Sequence, residues 1–211
     1  MTRLKTNRRY WQQFYAENPD PFPASEFAKT IAGQIDNRSG NLLELGCGNG
    51  RDAVYFAKCI GLSVQAIDQC DEEIDRLSKR YDMLNLNFFA ADFSRYRSNC
   101  ELDYAYSRWS IHAVDDDAEM LCFAAVAEVM RPAGRFFIEA RSIRDDLYGV
   151  GDCVGPHAFM TDHYRRFVDP LVLEERLSVA GFRVIESFES RGLSPMGDND
   201  PILVRVVAER R

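Results

Sequence analysis

NLLELGCGNGRDAVYFAKCIGLSVQAID, residues 41–68, decides the reading of this chain. Leu42–Leu45 is a short apolar run with Glu44 inside it, followed by Gly46, Cys47, Gly48, Asn49 and Gly50. Arg51–Cys59 then reads as a helix, with Ala53, Val54, Phe56 and Ala57 apolar. A second apolar run, Val64–Ile67, ends on Asp68. Strand, glycine turn, helix and a strand closed by an acid make a βαβ unit. The glycines let the backbone turn sharply and leave no Cβ in the way of a ligand. An acid at the end of the second strand suits a ribose with two free hydroxyls.

Glycine spacing separates two ligands. A dinucleotide site has G-x-G-x-x-G, with a pyrophosphate on the helix N-terminus. Here the spacing is G-x-G-x-G, position 51 is Arg, and Glu44 stands two residues before the first glycine. A glycine turn that binds nothing and a nicotinamide site are the competing readings.

The 211 residues suit one domain, expected to span 1–211. Hydrophobic residues at 46% and charged residues at 28% fit a globular chain. The formal charge of −7 speaks against a nucleic-acid partner, because such domains are more often basic. No run approaches the roughly 18 apolar residues that span a membrane. The basic N-terminus, MTRLKTNRRYWQQFY, lacks the apolar core of a signal peptide, so a cytoplasmic location is expected. Six cysteines without a C-x-x-C pair suggest no metal site and a reducing compartment.

Tyr10, Trp11, Phe14 and Tyr15 fall in a helical segment over residues 6–17, which Pro19, Pro21 and Pro23 break. Ser25 can cap a second helix, Glu26–Ile35. Residues 1–38 are thus a helical cover, either a fixed one for the sheet or a lid over the site. Beyond Asp68, helices are expected at Asp71–Tyr81, Asp116–Met130 and Val168–Ala180. Strands are expected at Leu86–Ala91, Leu102–Ser107, Arg135–Arg141, Phe182–Phe188 and Ile202–Ala208, with a stop at Arg131–Gly134. This alternation argues for a doubly wound α/β sheet.

Residues 41–140 resemble the core of the class I S-adenosylmethionine-dependent methyltransferases. Glu44, Gly46, Gly48 and Gly50 match the first motif, Asp68 the second, Asp92 with Phe93 the third, and Leu102–Trp109 the fourth strand. The resemblance implies a seven-stranded, mostly parallel, Rossmann-like sheet with an antiparallel last strand. It implies S-adenosyl-L-methionine as cofactor, held by Glu44, Gly46, Cys47, Gly48, Gly50, Arg51, Asp52, Asp68, Gln69, Asp92, Phe93 and Ser107.

The acceptor is read from the carboxyl ends of the strands and from a long insertion, placed at 142–168. Candidate substrate contacts are Tyr15, Arg108, Trp109, Arg141, Arg144, Tyr148, Tyr164 and Arg191. Their arginines suit phosphate or carboxylate oxygens, although Asp145, Asp146, Asp152 and Asp162 interleave with them and offer salt bridges instead. In an extended segment His163 and Arg165 share one face, with Tyr164 and Arg166 opposite. DDLYGVG (145–151), HYRRF (163–167) and RGLSP with DNDP (191–201) look like motifs of methyltransferases from bacterial surface-polysaccharide clusters that cap O-antigen chains.

The expected function is methyl transfer to an oxygen of a small or glycan-terminal, anionic acceptor. His112, His163 and Arg165 are the candidate catalytic residues; a histidine would serve as base for a neutral hydroxyl. A nicotinamide-dependent oxidoreductase or epimerase and a non-catalytic S-adenosylmethionine-binding module remain the alternatives.

Overall fold

The computed structural model describes residues 3–20, 22–36, 38–195, 197 and 199–211. Pro21 of the three breaking prolines, and Met196 and Asp198 of the late loop, lie outside the described residues. In chain order the elements are α1 (Arg3–Glu17), α2 (Glu26–Ala32), β1 (Asn41–Leu45) and α3 (Arg51–Tyr55), which runs on as a π-turn over Phe56–Ile60. Then come β2 (Ser63–Asp68), α4 (Asp71–Arg80), β3 (Leu86–Ala90), β4 (Leu102–Arg108), a 3-10 turn at Ile111–Ala113 and α5 (Asp116–Val129). The chain continues with β5 (Met130–Arg141), β6 (Asp152–Gly155), β7 (Ala158–Met160) and β8 (Tyr164–Arg166). It closes with α6 (Pro170–Val179), β9 (Phe182–Ser190) and β10 (Leu203–Arg210).

Seven strands form one sheet in the order β3-β2-β1-β4-β5-β10-β9. The first five pair in parallel, and β10 is antiparallel to both its neighbours, as the resemblance to class I methyltransferases implies. β1 and β4 are nearly continuous buried runs because helices cover both faces of the sheet. Side-chain alternation splits the core: Leu43, Leu45, Phe136 and Ile138 pack with α5 and α6 on one face. Leu42, Val64, Tyr106 and Phe137 pack with Phe27 and Phe56 on the other. The chain reverses its winding between β1 and β4, so a crevice opens at their carboxyl ends.

Four local expectations are corrected. Arg131–Gly134 is not a stop before the fifth strand but a bulge within β5, where Leu102 pairs with Met130 and Tyr104 with Arg135. Ala133 adopts a left-handed φ of 63° there. The insertion is not a plain loop: β6, β7 and β8 form a small antiparallel sheet. α6 starts at Pro170, after the Asp169 cap, because Val168 instead bridges to Ser142. Ser25 caps α2 as expected, its Oγ accepting from the Ala28 amide at 3.0 Å, and Gly33 ends that helix early. Among the described residues no helix is long and apolar enough to cross a membrane.

Candidate active site

The turn after β1 is built from left-handed glycines: φ is 72° at Gly46, 54° at Gly48 and 73° at Gly50. A Cβ on Gly48 would lie 2.6 Å from the Tyr15 hydroxyl oxygen, and one on Gly46 would lie 2.6 Å from Ser110 Cβ. The amides of Gly46 and Cys47 donate to the Ile67 carbonyl at 2.8 and 2.9 Å, which ties the turn to β2. Gly50 instead backs onto Leu77 and Phe88, so it caps α3 and stays outside the cavity.

Asp68 closes β2 and is 7% exposed. Its carboxylate accepts from the Gly48 amide and the Cys70 amide, each at 3.0 Å. Burial raises its pKa, against the pull of those backbone donors. A carboxylate offers about four lone-pair positions, so two amides leave room for a ribose diol. Glu44 is buried with Oε2 unpartnered. Burial first, then the Asp52 charge, pushes its pKa well up. A buried carboxylate oxygen without a partner is costly, and an ammonium group placed beside it removes that cost. Glu44 and Asp68 thus fit the amino-acid head and the ribose of S-adenosylmethionine.

Both acids line a cavity of about 320 Å³, in the range of small-molecule sites. Tyr10, Trp11, Phe14 and Tyr15 of α1, with Phe22 after it, form its roof. Cys47, Asn49, Arg51, Gln69 and Phe93 line the cofactor side. Arg108, Trp109, Ser110, His112 and Ala113 come from the end of β4 and the turn after it. Arg141, His163 and Arg165 complete the wall from β5 and the insertion. Phe22, Asn49 and Ala113 were not singled out in the sequence; Ser110 follows the fourth strand, whose end faces the site, but was given no role there, and the glycine at 46 makes room for it.

Other candidates are placed differently. Asp52 lines the cavity, but its carboxylate accepts from the Ser25 amide and hydroxyl, both at 2.7 Å, and from the Tyr106 hydroxyl at 2.8 Å. It therefore anchors α2. Asp92 is exposed and accepts from the Ser94 amide and hydroxyl, so only Phe93 of that pair reaches the cavity. Ser107 is fully buried against Ser110, their hydroxyls 2.6 Å apart. Arg144 pairs with Glu189 at 3.0 Å and Arg191 with Asp146 at 2.6 Å, both outside the cavity. Tyr148 packs edge-on against Phe159 and Phe167 and bonds His157 Nδ1 at 2.8 Å, a role in holding the small sheet. Tyr164 is buried on the other face of β8, and so is Arg166, which pairs with Asp116 and Glu119.

The acceptor end is cationic and aromatic. Trp109 has a left-handed φ of 59°, and the guanidiniums of Arg108 and Arg141 lie 4.4 and 5.2 Å from the centre of its ring. Arg108 Nε is 3.1 Å from fully buried Glu139, and Arg141 Nη1 is 2.8 Å from Asp145. His112 Nδ1 accepts from the Arg141 amide at 3.2 Å, so the neutral ring carries its proton on Nε2. Burial, and then Arg141, hold its pKa well below 6.5. In that tautomer Nε2 of His112, a residue lining the cavity, is a hydrogen-bond donor, whereas the sequence reading offered His112 as a base.

His163 has the opposite tautomer. Burial alone would raise the Asp162 carboxyl, but Thr161 and His163 outweigh it and bring it down to about 2. Ionised Asp162 accepts only, so His163 Nδ1 donates to it at 2.7 Å and Nε2 is left with a lone pair. Arg165 Nη2 donates to that nitrogen at 2.9 Å. The imidazole stacks on Tyr10 of α1, ring centres 4.2 Å apart.

Residues 42–134 match the family described as a methyltransferase domain. An O-methyltransferase from Pyrenophora dematioidea is 31% identical over 160 residues, 72% of this chain and 57% of that protein. The O-methyltransferase rstn1 of Aspergillus nomiae is 25% identical over 90% of this chain and 85% of its own length. Thus the chain spans little more than half of the first relative's length. The structure of a Burkholderia thailandensis 1,6-didemethyltoxoflavin-N1-methyltransferase superposes with a TM-score of 0.73 at 21% identity, over 98% of this chain and 88% of that one. The glycopeptide N-methyltransferase MtfA in complex with S-adenosylmethionine gives 0.68 at 19% identity, over 90% and 96%; these two show the shared fold. Residues 42–134 are thus a methyltransferase domain by their family match, the sheet has the fold of solved S-adenosylmethionine-dependent methyltransferases, and the cavity beside Glu44 and Asp68 suits S-adenosylmethionine as the cofactor.

Proposed function

We propose that the chain methylates a hydroxyl oxygen of a small acceptor that also carries an anionic group. One observation carries this reading: the Asp162–His163 pair, with a lone pair on Nε2, stands in the same cavity wall as Arg141 and Arg165. A hydroxyl acceptor needs a base, and an oriented neutral imidazole is one. Two guanidiniums suit a carboxylate or phosphate. The curated relatives being O-methyltransferases supports oxygen as the methylated atom.

Bound S-adenosylmethionine supplies an activated, sulfonium-borne methyl group. The protein's part is to place and desolvate. Glu44 and Asp68 fix the cofactor's head and ribose at the crevice. Trp109, held by two cations, presents a flat wall to the acceptor. His112 donates Nε2–H toward the acceptor, and His163 Nε2 receives the hydroxyl proton while Asp162 steadies the resulting charge. The α1 aromatics roof the reaction and keep water out.

The acceptor is a free small molecule or the anionic end of a glycan. The motifs that look like polysaccharide methyltransferases favour the glycan weakly, because Asp145 and Tyr148 serve internal contacts. The fungal relatives favour the small molecule. A panel of hydroxy acids, phosphorylated alcohols, neutral phenols and amines, incubated with isotopically labelled S-adenosylmethionine, tests the proposal. Label on oxygen of the anionic hydroxyl compounds is expected. Turnover confined to amines or to uncharged phenols contradicts it.

A further inference from the structure

Arg165 differs from the arginines beside it. Arg141 pairs with Asp145 and Arg166 with Asp116 and Glu119, yet no carboxylate among the described residues lies within ion-pair distance of Arg165. Its bond goes instead to His163 Nε2, the nitrogen that would serve as base. A lone pair that accepts this bond cannot also accept a hydroxyl proton.

We propose that Arg165 caps the base, and that the acceptor's own oxyanion removes the cap. The acceptor is then a hydroxy acid or a vicinal hydroxy-phosphate, with its hydroxyl beside its anionic group. This rests on the anionic-acceptor reading given above. Arg165 Nη2 and His163 Nε2 are 2.9 Å apart, so the oxyanion that draws the guanidinium away and the hydroxyl that replaces it must be near neighbours. Bidentate contact with an oxyanion is stronger than a single bond to a neutral imidazole nitrogen, which gives the exchange its direction. A neutral acceptor meets a capped base and is refused.

Balance is simple. The hydroxyl proton goes to Nε2, the oxygen pair forms the bond to the methyl carbon, and the sulfonium carbon–sulfur pair returns to sulfur. The charged and titratable groups around the imidazole are Asp162 beside it, Tyr10 on α1, Arg165 on β8, Arg141 on β5 and His112. Burial and then Arg165 hold the His163 pKa below 6.5, with Asp162 opposing. Pairing Arg165 with an anion cancels its part and makes His163 a stronger base at the moment the hydroxyl arrives.

The test is an imidazole NMR titration of the full chain saturated with S-adenosylhomocysteine, using inorganic sulfate as the anion. Three histidines are present, and a His163→Gln spectrum assigns the resonance. In Arg165→Gln the His163 titration should move to higher pH. Sulfate should move it the same way in the wild type and leave Arg165→Gln unchanged. An unmoved or lowered titration in Arg165→Gln overturns the cap. Sulfate that shifts the Arg165 Nε signal without raising His163 overturns the release alone. Sulfate that shifts neither overturns the anionic-acceptor reading as well. The wild-type arm decides even where the variant does not fold.

Discussion

Ser25 and Asp52 lock the N-terminal cover to the cofactor loop. The Ser25 amide and hydroxyl both donate to the Asp52 carboxylate at 2.7 Å, while the same hydroxyl accepts from the Ala28 amide and so caps α2. Tyr106 of β4 adds a third donor to Asp52. One buried carboxylate thus joins α2, α3 and the strand whose end faces the methyl group.

Asp52→Ala removes the acceptor of three buried donors, of which the Ser25 and Tyr106 hydroxyls, 3.2 Å apart, can still bond each other, so two donors are stranded. Each costs about 1–3 kcal/mol when left unpaired, so a loss of at least about 2 kcal/mol in urea unfolding is expected. Hydrogen exchange should rise most over residues 8–36. A loss spread evenly over the sheet would mean that Asp52 only fills space.

Gly48→Val should abolish cofactor binding and disturb the roof. Its Cβ would stand 2.6 Å from the Tyr15 hydroxyl oxygen, at a φ of 54° that β-branched residues avoid. Near-wild-type calorimetric affinity for S-adenosylhomocysteine would show that α1 yields freely.

Much of this was legible in the sequence, and the rest was not, for physical reasons. The βαβ unit could be read because glycines, apolar runs and the closing acid are local signals. The period of two separates His163 and Arg165 from Tyr164 and Arg166 without any structure. Arg144 and Arg165 look alike in sequence, however. What divides them is Glu189, on β9, which takes Arg144 out of the cavity. The role of Asp52 depends on Ser25 and Tyr106, both distant along the chain. β6–β8 were missed because strands of three or four residues leave almost no periodic signal.

Stability should fall with acid through the buried histidines. Burial lowers the His112 pKa in the fold, so as pH drops below about 6.5 the unfolded chain takes up a proton before the folded one does. The contribution of neutral His112 is complete above that pH and is lost on the way down to its folded pKa. His163 acts with the same sign, whereas Glu44, raised by burial, acts with the opposite one. The comparison with His112→Asn, which keeps an acceptor for the Arg141 amide, isolates the effect. Its melting temperature should depend less steeply on pH between about 7.5 and 5.5. Parallel curves would show that His112 takes up its proton alike in both states.

Arg165→Ala should lower kcat/KM for an anionic acceptor at least tenfold, about 1.4 kcal/mol, with cofactor affinity unchanged. Arg165→Lys should restore part of this, since an ammonium cannot make the two-pronged contact. Steady-state kinetics with the acceptor found in the panel decides it. Full activity in Arg165→Ala would remove Arg165 from acceptor recognition.

The most direct measurement is calorimetric titration of the wild type and Asp68→Ala with S-adenosylhomocysteine and with NAD. The account predicts one-to-one binding of S-adenosylhomocysteine, no heat from NAD, and a loss of about 1.5–3 kcal/mol in the variant, the range for hydrogen bonds to a charged group. Binding of NAD in its place, or equal affinity in wild type and Asp68→Ala, would contradict it.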